Sequence, residues 1–237
     1  MNNRVCIVNY ASGHHYRMGQ QRLIRQLDHV LWKGRTMLWA EQLPPNSPPH
    51  PRKTQWAIKG YTPYAFKVYA LEAARLAGND IVIWLDASMV PIRPLEPLIE
   101  HIAEHGYWFP LEGWTVGQWC ADEPRHMMAL GWEESFDIPM VTAGAMGLDL
   151  RHTESSWLLE AWLGMCRAGV FRGPWTNKGF EASTNPRVRG HRHDMTCLSV
   201  LAHRRGMTGT PIPKFYSVGD SKLDYPPEVC IVADGNY

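Results

Sequence analysis

Residues Ile81–Pro94, IVIWLDASMVPIRP, run apolar for five positions and then turn at once to a carboxylate, a small residue and a hydroxyl. Ile81-Val82-Ile83-Trp84-Leu85 is short, β-branched and aromatic, and Gly78-Asn79-Asp80 opens it, which predicts a strand buried on both faces. Such strands belong to the central sheet of an α/β domain with helices on either side. Asp86 then stands at the carboxyl end of the strand, where open α/β sheets bind their ligands. A carboxylate there is costly to bury unless a metal, a sugar hydroxyl or another positive group meets it. The plainer reading is that Asp86 and Ser88 cap the following turn.

The chain has 237 residues, enough for one such domain with a full core. A net charge of +1 with ordinary hydrophobic content excludes a disordered chain and gives no global charge that would commit it to nucleic acid or membrane. Eleven tryptophans point to a ligand with ring or planar faces. Cys6, Cys120, Cys166, Cys197 and Cys230 are odd in number and form no CxxC pair, so free thiols in a reducing compartment are expected rather than a zinc ribbon. The first apolar run is too short for a signal sequence, no later one would span a membrane, and a cytoplasmic protein is expected.

Outward from Asp86, Arg4–Tyr10 reads as a first strand, Ala11-Ser12-Gly13 as a loop and Met18–Leu31 as a helix. Backbone N–H groups at such a loop can face phosphate, although no GxGxxG is present. Thr36–Ala40 is a short strand, and Gln42–Lys53, with five prolines, a surface loop. Tyr61–Leu76 reads as a helix capped by Thr62 with Pro63 in its first turn. Helices follow at Leu95–His105, Glu123–Ala129 and Ser155–Cys166, and a strand at Gly106–Phe109. Pro110–Gln118 reads as a tryptophan-laden loop, and Leu148–Arg151 as a strand after the small residues Thr142–Gly147. Asp194 opens a helix to Arg204, with His191 and His193 at its start, and short strands are expected at Phe215–Val218 and Val229–Val232.

Three of these stretches, in this order, resemble GT-A glycosyltransferases. Asp86-Ala87-Ser88 is similar to their Asp-x-Asp motif, with Ser88 in the third position; Ala143-Gly144 is similar to a small-residue segment that lines the donor sugar; His193-Asp194 resembles a late His-Asp-Gln, with Met195 replacing Gln. The resemblance implies a single GT-A-like domain over 1–237, a Rossmann-type mixed sheet flanked by helices, with 1–105 the nucleotide half and 106–237 the donor-sugar and acceptor half. It implies a hexosyltransferase using a UDP-sugar and a divalent cation, manganese or magnesium. Nucleotide-sugar contacts would come from Asn9, Tyr10, Ala11, Lys67, Asp86, Ala87, Ser88, Ala143, Gly144, His193 and Asp194. The metal would sit on Asp86 and His191, and the catalytic groups would be Asp194 and Asp86, with Glu112 or Asp122 as further bases. A compact chain with many tryptophans and Arg187, Arg189 and Arg192 looks like the phage glycosyltransferases that accompany TET-like dioxygenases and modify 5-hydroxymethylcytosine in DNA, acting in the host cytoplasm.

Other readings stay open. The acceptor of a transferase would also fit a surface glycan or a small metabolite. His191-x-His193-Asp194 would suit a metal-dependent hydrolase, although Thr196 stands where a further histidine is expected. A nucleotide-sugar-binding protein without turnover would show the same crevice.

Overall fold

The computed structural model describes residues 4–51 and 60–235. Arg52 and Lys53, the end of the expected proline loop, lie outside the described residues. In chain order the first half holds β1 (Val5–Ala11), α1 (His14–His29), β2 (Arg35–Ala40), α2 (Ala65–Leu76), β3 (Ile81–Leu85), β4 (Met89–Pro91), α3 (Glu96–His105) and β5 (Tyr107–Trp108). The second half holds β6 (Leu111–Thr115), α4 (Asp122–Met127), α5 (Trp132–Asp137), β7 (Pro139–Val141), β8 (Ala145–Asp149), α6 (Thr153–Ala168), α7 (Gly179–Ala182), α8 (His193–Arg204), β9 (Phe215–Val218) and β10 (Val229–Ala233).

The main sheet has the order β2-β1-β3-β8-β5. β1 runs parallel to β2 and β3, whereas β8 is antiparallel to both β3 and β5. The expected mixed sheet is therefore present. β3 is buried over its whole length, and its side chains alternate between two cores. Val82 and Trp84 join Cys6 and Val8 against α2, α6 and α8, while Ile81, Ile83 and Leu85 join Val5 and Ile7 against α1 and α3. All five cysteines are free and buried.

Antiparallel pairing of β3 with β8 determines where the site forms. Leu85 pairs with Ala145, so the segment entering β8 lies against the segment leaving β3, and the Asp86 N–H donates to the Gly144 carbonyl at 2.7 Å. Three parallel strands end at this edge as well. A second sheet, β4-β10-β9, starts directly beyond Asp86, and the Asp234 N–H donates to the Ser88 carbonyl. The expected strands of the tail thus cover the same edge.

Several expected elements differ. α1 begins at His14 rather than Met18. α2 begins at Ala65, because Tyr64 takes a left-handed conformation (φ 55°) and donates its N–H to His50 Nδ1; Thr62 is not the cap. Pro110–Gln118 is not a loop: β6 pairs with β7, and Val116–Trp119 forms a 3-10 turn. The expected strand at Leu148–Arg151 is displaced to β8, since the small residues Ala145-Met146-Gly147 are themselves in the sheet. α4 ends at Met127 and α5 went unforeseen, its six residues being too few to show a period. Among the described residues no helix is long and apolar enough to cross a membrane.

Gly147 shows why that strand needs small residues. A Cβ there would stand 2.4 Å from Ile102 Cδ1, itself fully buried under α3. Gly147→Ala should lower unfolding stability by about 1–3 kcal/mol through overpacking, read as a reduced urea midpoint with an unchanged slope.

Candidate active site

At the carboxyl edge of β1 and β3 a buried cation bridges two acids. Lys67, on the first turn of α2, is 4 % exposed. Its ammonium lies 2.9 Å from the Ala143 carbonyl, 3.3 and 3.4 Å from the two Asp86 oxygens and 3.2 Å from Asp194 Oδ2. Burial, the largest influence, pulls the lysine pKa down, but Asp194 and Asp86 together hold it above its ordinary value. The sequence placed Lys67 at the helix start but did not foresee burial among partners far away in the chain.

Asp86 is the open end of this cluster, with its side chain 34 % exposed, and Trp84 Nε1 fixes one oxygen by a 2.7 Å hydrogen bond. Gly144 leaves room for it, because a Cβ there would come within 3.1 Å of Asp86 Oδ2. Asp194 is the closed end, 3 % exposed at the start of α8. Burial pushes its pKa up to about 6 against the opposing pull of Lys67. Its Oδ2 faces the ammonium as an ion pair without the alignment of a hydrogen bond.

Two joined cavities share Tyr64, Asp86, Ser88 and Trp175. One, of about 420 Å³, is bounded by Tyr10, Tyr16, His50 and Phe66. The other, of about 530 Å³, reaches Lys67, Glu112, Ala143, Gly144, Arg192, His193, Asp194 and Tyr216. Tyr64 and His193 both hold positive φ angles (55° and 42°) and their rings lie 5.5 Å apart. Both residues sit at a helix start, Tyr64 just before α2 and His193 at the first position of α8, which brings their rings together on the cavity wall.

Most residues singled out from sequence meet here. Tyr10, Lys67, Asp86, Ala87, Ser88, Ala143, Gly144, His193 and Asp194 all line one cavity or the other. Asn9 and Ala11 do not. The Asn9 side chain is fully buried, donating to the Leu85 carbonyl at 2.6 Å and accepting from Gln20 Nε2, so it ties β1 to the end of β3 and does not reach either cavity. Asp122 lies outside as well, accepting from Ser183 Oγ and the Thr184 N–H. Glu112 lines the larger cavity, and burial raises its pKa against Thr142 and Arg192. Trp175 and His50 were missed: each is a lone aromatic ring in an irregular stretch, and the general excess of tryptophan was the only signal.

The residues do not fit a preformed metal centre. His191 lines the wall, but its Nδ1 accepts from the Ala121 N–H and its Nε2 donates to the Arg172 carbonyl, so neither nitrogen is free to ligate. The expectation that His191 binds metal is corrected on that ground, and the hydrolase pattern loses the same ligand; Thr196 Oγ1 is committed to the Trp119 carbonyl. Asp86 and Asp194 both face the Lys67 ammonium, and a dication beside it would meet a like charge. Among the described residues no group of three or more His, Cys, Asp or Glu is placed to hold a metal ion.

Burial keeps the wall histidines neutral: His50 and His191 are lowered to about 4, and His193 falls well below its ordinary value. Each binds a proton more readily unfolded than folded, so its contribution is present above pH 6.5 and is lost as pH falls towards 4. Asp194, raised, opposes them by one proton between about 4 and 6. Stability should therefore fall on acidification by up to ~1.4 kcal/mol per pH unit for each histidine, less the Asp194 contribution. Urea melts at pH 7 and 5 check this, and His50→Gln should remove about one proton of the slope.

No family model matches this sequence, and no curated protein matches it. The fold is similar to that of solved glycosyltransferases. Mouse xyloside xylosyltransferase 1, in its apo form, shares 10% identity over 96% of either chain, with a TM-score of 0.48. The apo structure of the bifunctional glycosyltransferase WbbM shares 9% identity over 98% of this chain, with a TM-score of 0.52. This chain spans about half of that longer one, 46% of its length. The second likeness shows that the chain shares the fold of that structure.

Proposed function

We propose that this protein transfers a sugar from a nucleoside diphosphate sugar, a UDP-sugar first among them, to a hydroxyl. The observation that carries the reading is the Asp86–Lys67–Asp194 cluster at the sheet edge, opening on two joined cavities in a chain that shares the fold of a solved glycosyltransferase. The smaller cavity, walled by Tyr10, Tyr16, His50 and Phe66, suits a planar base. The larger suits a diphosphate and a sugar, with Ala143, Gly144, His193 and Asp194 around the ring. His193 supports this: its Nδ1 donates to the Phe171 carbonyl, and its buried Nε2 has no hydrogen-bond partner, an acceptor suited to a sugar hydroxyl.

In transfer, the bond from the anomeric carbon to the diphosphate oxygen breaks with its electron pair staying on the diphosphate. The acceptor oxygen bonds to that carbon and its proton passes to a carboxylate. Asp194, held near pH 6, has the basicity for that task. We assign the acceptor to 5-hydroxymethylcytosine in DNA. The resemblance supports this, as do the half-exposed Trp114 ring and Arg192 at the larger cavity, suited to an extruded base. Arg187 is less suited to phosphate, since it pairs with Glu133.

The test is release of UDP from UDP-glucose and related donors with 5-hydroxymethylcytosine DNA against unmodified DNA. Release should require the modified DNA, vanish in Asp86→Ala and fall roughly 100-fold or more in Asp194→Asn. Equal release with both DNAs sinks the DNA acceptor. No release and no thermal shift with any nucleotide sugar overturns the transferase reading.

A further inference from the structure

Lys67 occupies an unusual position for a lysine. It has three N–H donors, and three acceptors stand around it: the Ala143 carbonyl at 2.9 Å, Asp194 at 3.2 Å and Asp86 at 3.3 Å. The rings of Tyr64 and Trp84 flank the ammonium at 5.2 and 5.8 Å, an arrangement that favours a cation. Ala143, Asp194 and Asp86 all line the larger cavity, but Asp194 is 3 % exposed whereas Asp86 has a third of its side chain open. The contacts to Asp86 are also the longest of the set. An arriving oxyanion can therefore take over that N–H while Trp84 Nε1 keeps hold of the carboxylate. Arg192 brings a second positive charge to the same cavity, its guanidinium stacked on Trp119 at 3.8 Å and donating to Asn177 Oδ1.

We propose that the Lys67 ammonium does the work of a divalent cation here, neutralising the leaving diphosphate, so that donor binding and transfer need no metal. This rests on the glycosyl-transfer reading. The physical requirement is positive charge fixed beside the oxygen on which negative charge develops, and a preorganised ammonium meets it without a coordination shell. Lys67 gives up no proton: it donates a hydrogen bond to the diphosphate oxygen that receives the electron pair of the breaking bond, and remains an ammonium throughout. Asp194 and Asp86 keep the lysine charged in a buried place, and by pairing with it they neutralise the charge that a metal ion would otherwise have met.

The test compares UDP affinity by calorimetry in EDTA and in millimolar manganese, together with manganese binding to the protein alone, read from the paramagnetic resonance signal of the free ion. Wild type should bind UDP equally in both to within about twofold, and bind no manganese by itself. Lys67→Met should weaken UDP binding in EDTA roughly 10- to 100-fold and gain manganese binding, since it leaves two carboxylates without their cation. Tightening of wild-type UDP binding by more than about tenfold with manganese, a gain abolished in Asp86→Asn, overturns the proposal. If Lys67→Met does not fold, the wild-type comparison decides alone. If UDP binds under neither condition, the transferase reading fails and the proposal fails with it; if UDP binds only with manganese, the transferase reading stands and the proposal alone is overturned.

Discussion

A positive charge sealed between two negative ones is what the rest of the structure depends on. Lys67, Asp86 and Asp194 come from positions far apart in the chain, and each would be costly to bury alone. Together they hold α2, the end of β3 and the start of α8 at one point. Removing Lys67 or Asp194, the two buried members, costs about 3–5 kcal/mol, because the charge left behind is shut away from water, whereas Asp86 is a third exposed and its loss is softened by solvent. The cluster therefore fixes elements that the hydrophobic cores alone would allow to slide.

Around it, the sheet does the positioning. Parallel β1 and β3 deliver their ends to one edge, and antiparallel β8 brings its beginning to the same edge, so the cavity is lined by strand exits and a strand entry at once. Asn9 and Gln20 close the seam beneath it with buried hydrogen bonds, which is why two polar residues sit where a core would otherwise be apolar. The aromatic walls rest on this floor: Tyr64 leans on His50 and Trp175, and His193 on His191.

Much of this could be read in the residues. Five apolar positions ending in Asp86 marked the central strand, and the apolar spacing after Asp194 marked α8, because both signals are local and periodic. Ala143 and Gly144 were noticed for their small size, and the edge of the sheet is where small size matters. What escaped was set by distant partners. Asn9 looked like any strand-end ligand contact until its amide was seen bonded to Leu85 and Gln20. Lys67 was expected to meet a nucleotide sugar from the helix start, but its burial depends on carboxylates 19 and 127 positions away, which no local pattern reveals. Pro110–Gln118 has no period of its own, and becomes β6 because β7 supplies the pairing.

The bond from the Asp234 N–H to the Ser88 carbonyl, with Ala233 beside Met89 in the β10–β4 pairing, has a consequence for biosynthesis. The central strand and its acidic turn leave the ribosome early, yet Tyr216 and Ala233, which line the larger cavity, come 130 and 147 residues after Asp86. A partly synthesised chain carries the charged cluster's first members with one wall missing. The wall of the crevice is therefore complete only with β10 paired to β4, whereas the central strand that carries the acidic turn belongs to a sheet whose own pairing does not involve β10.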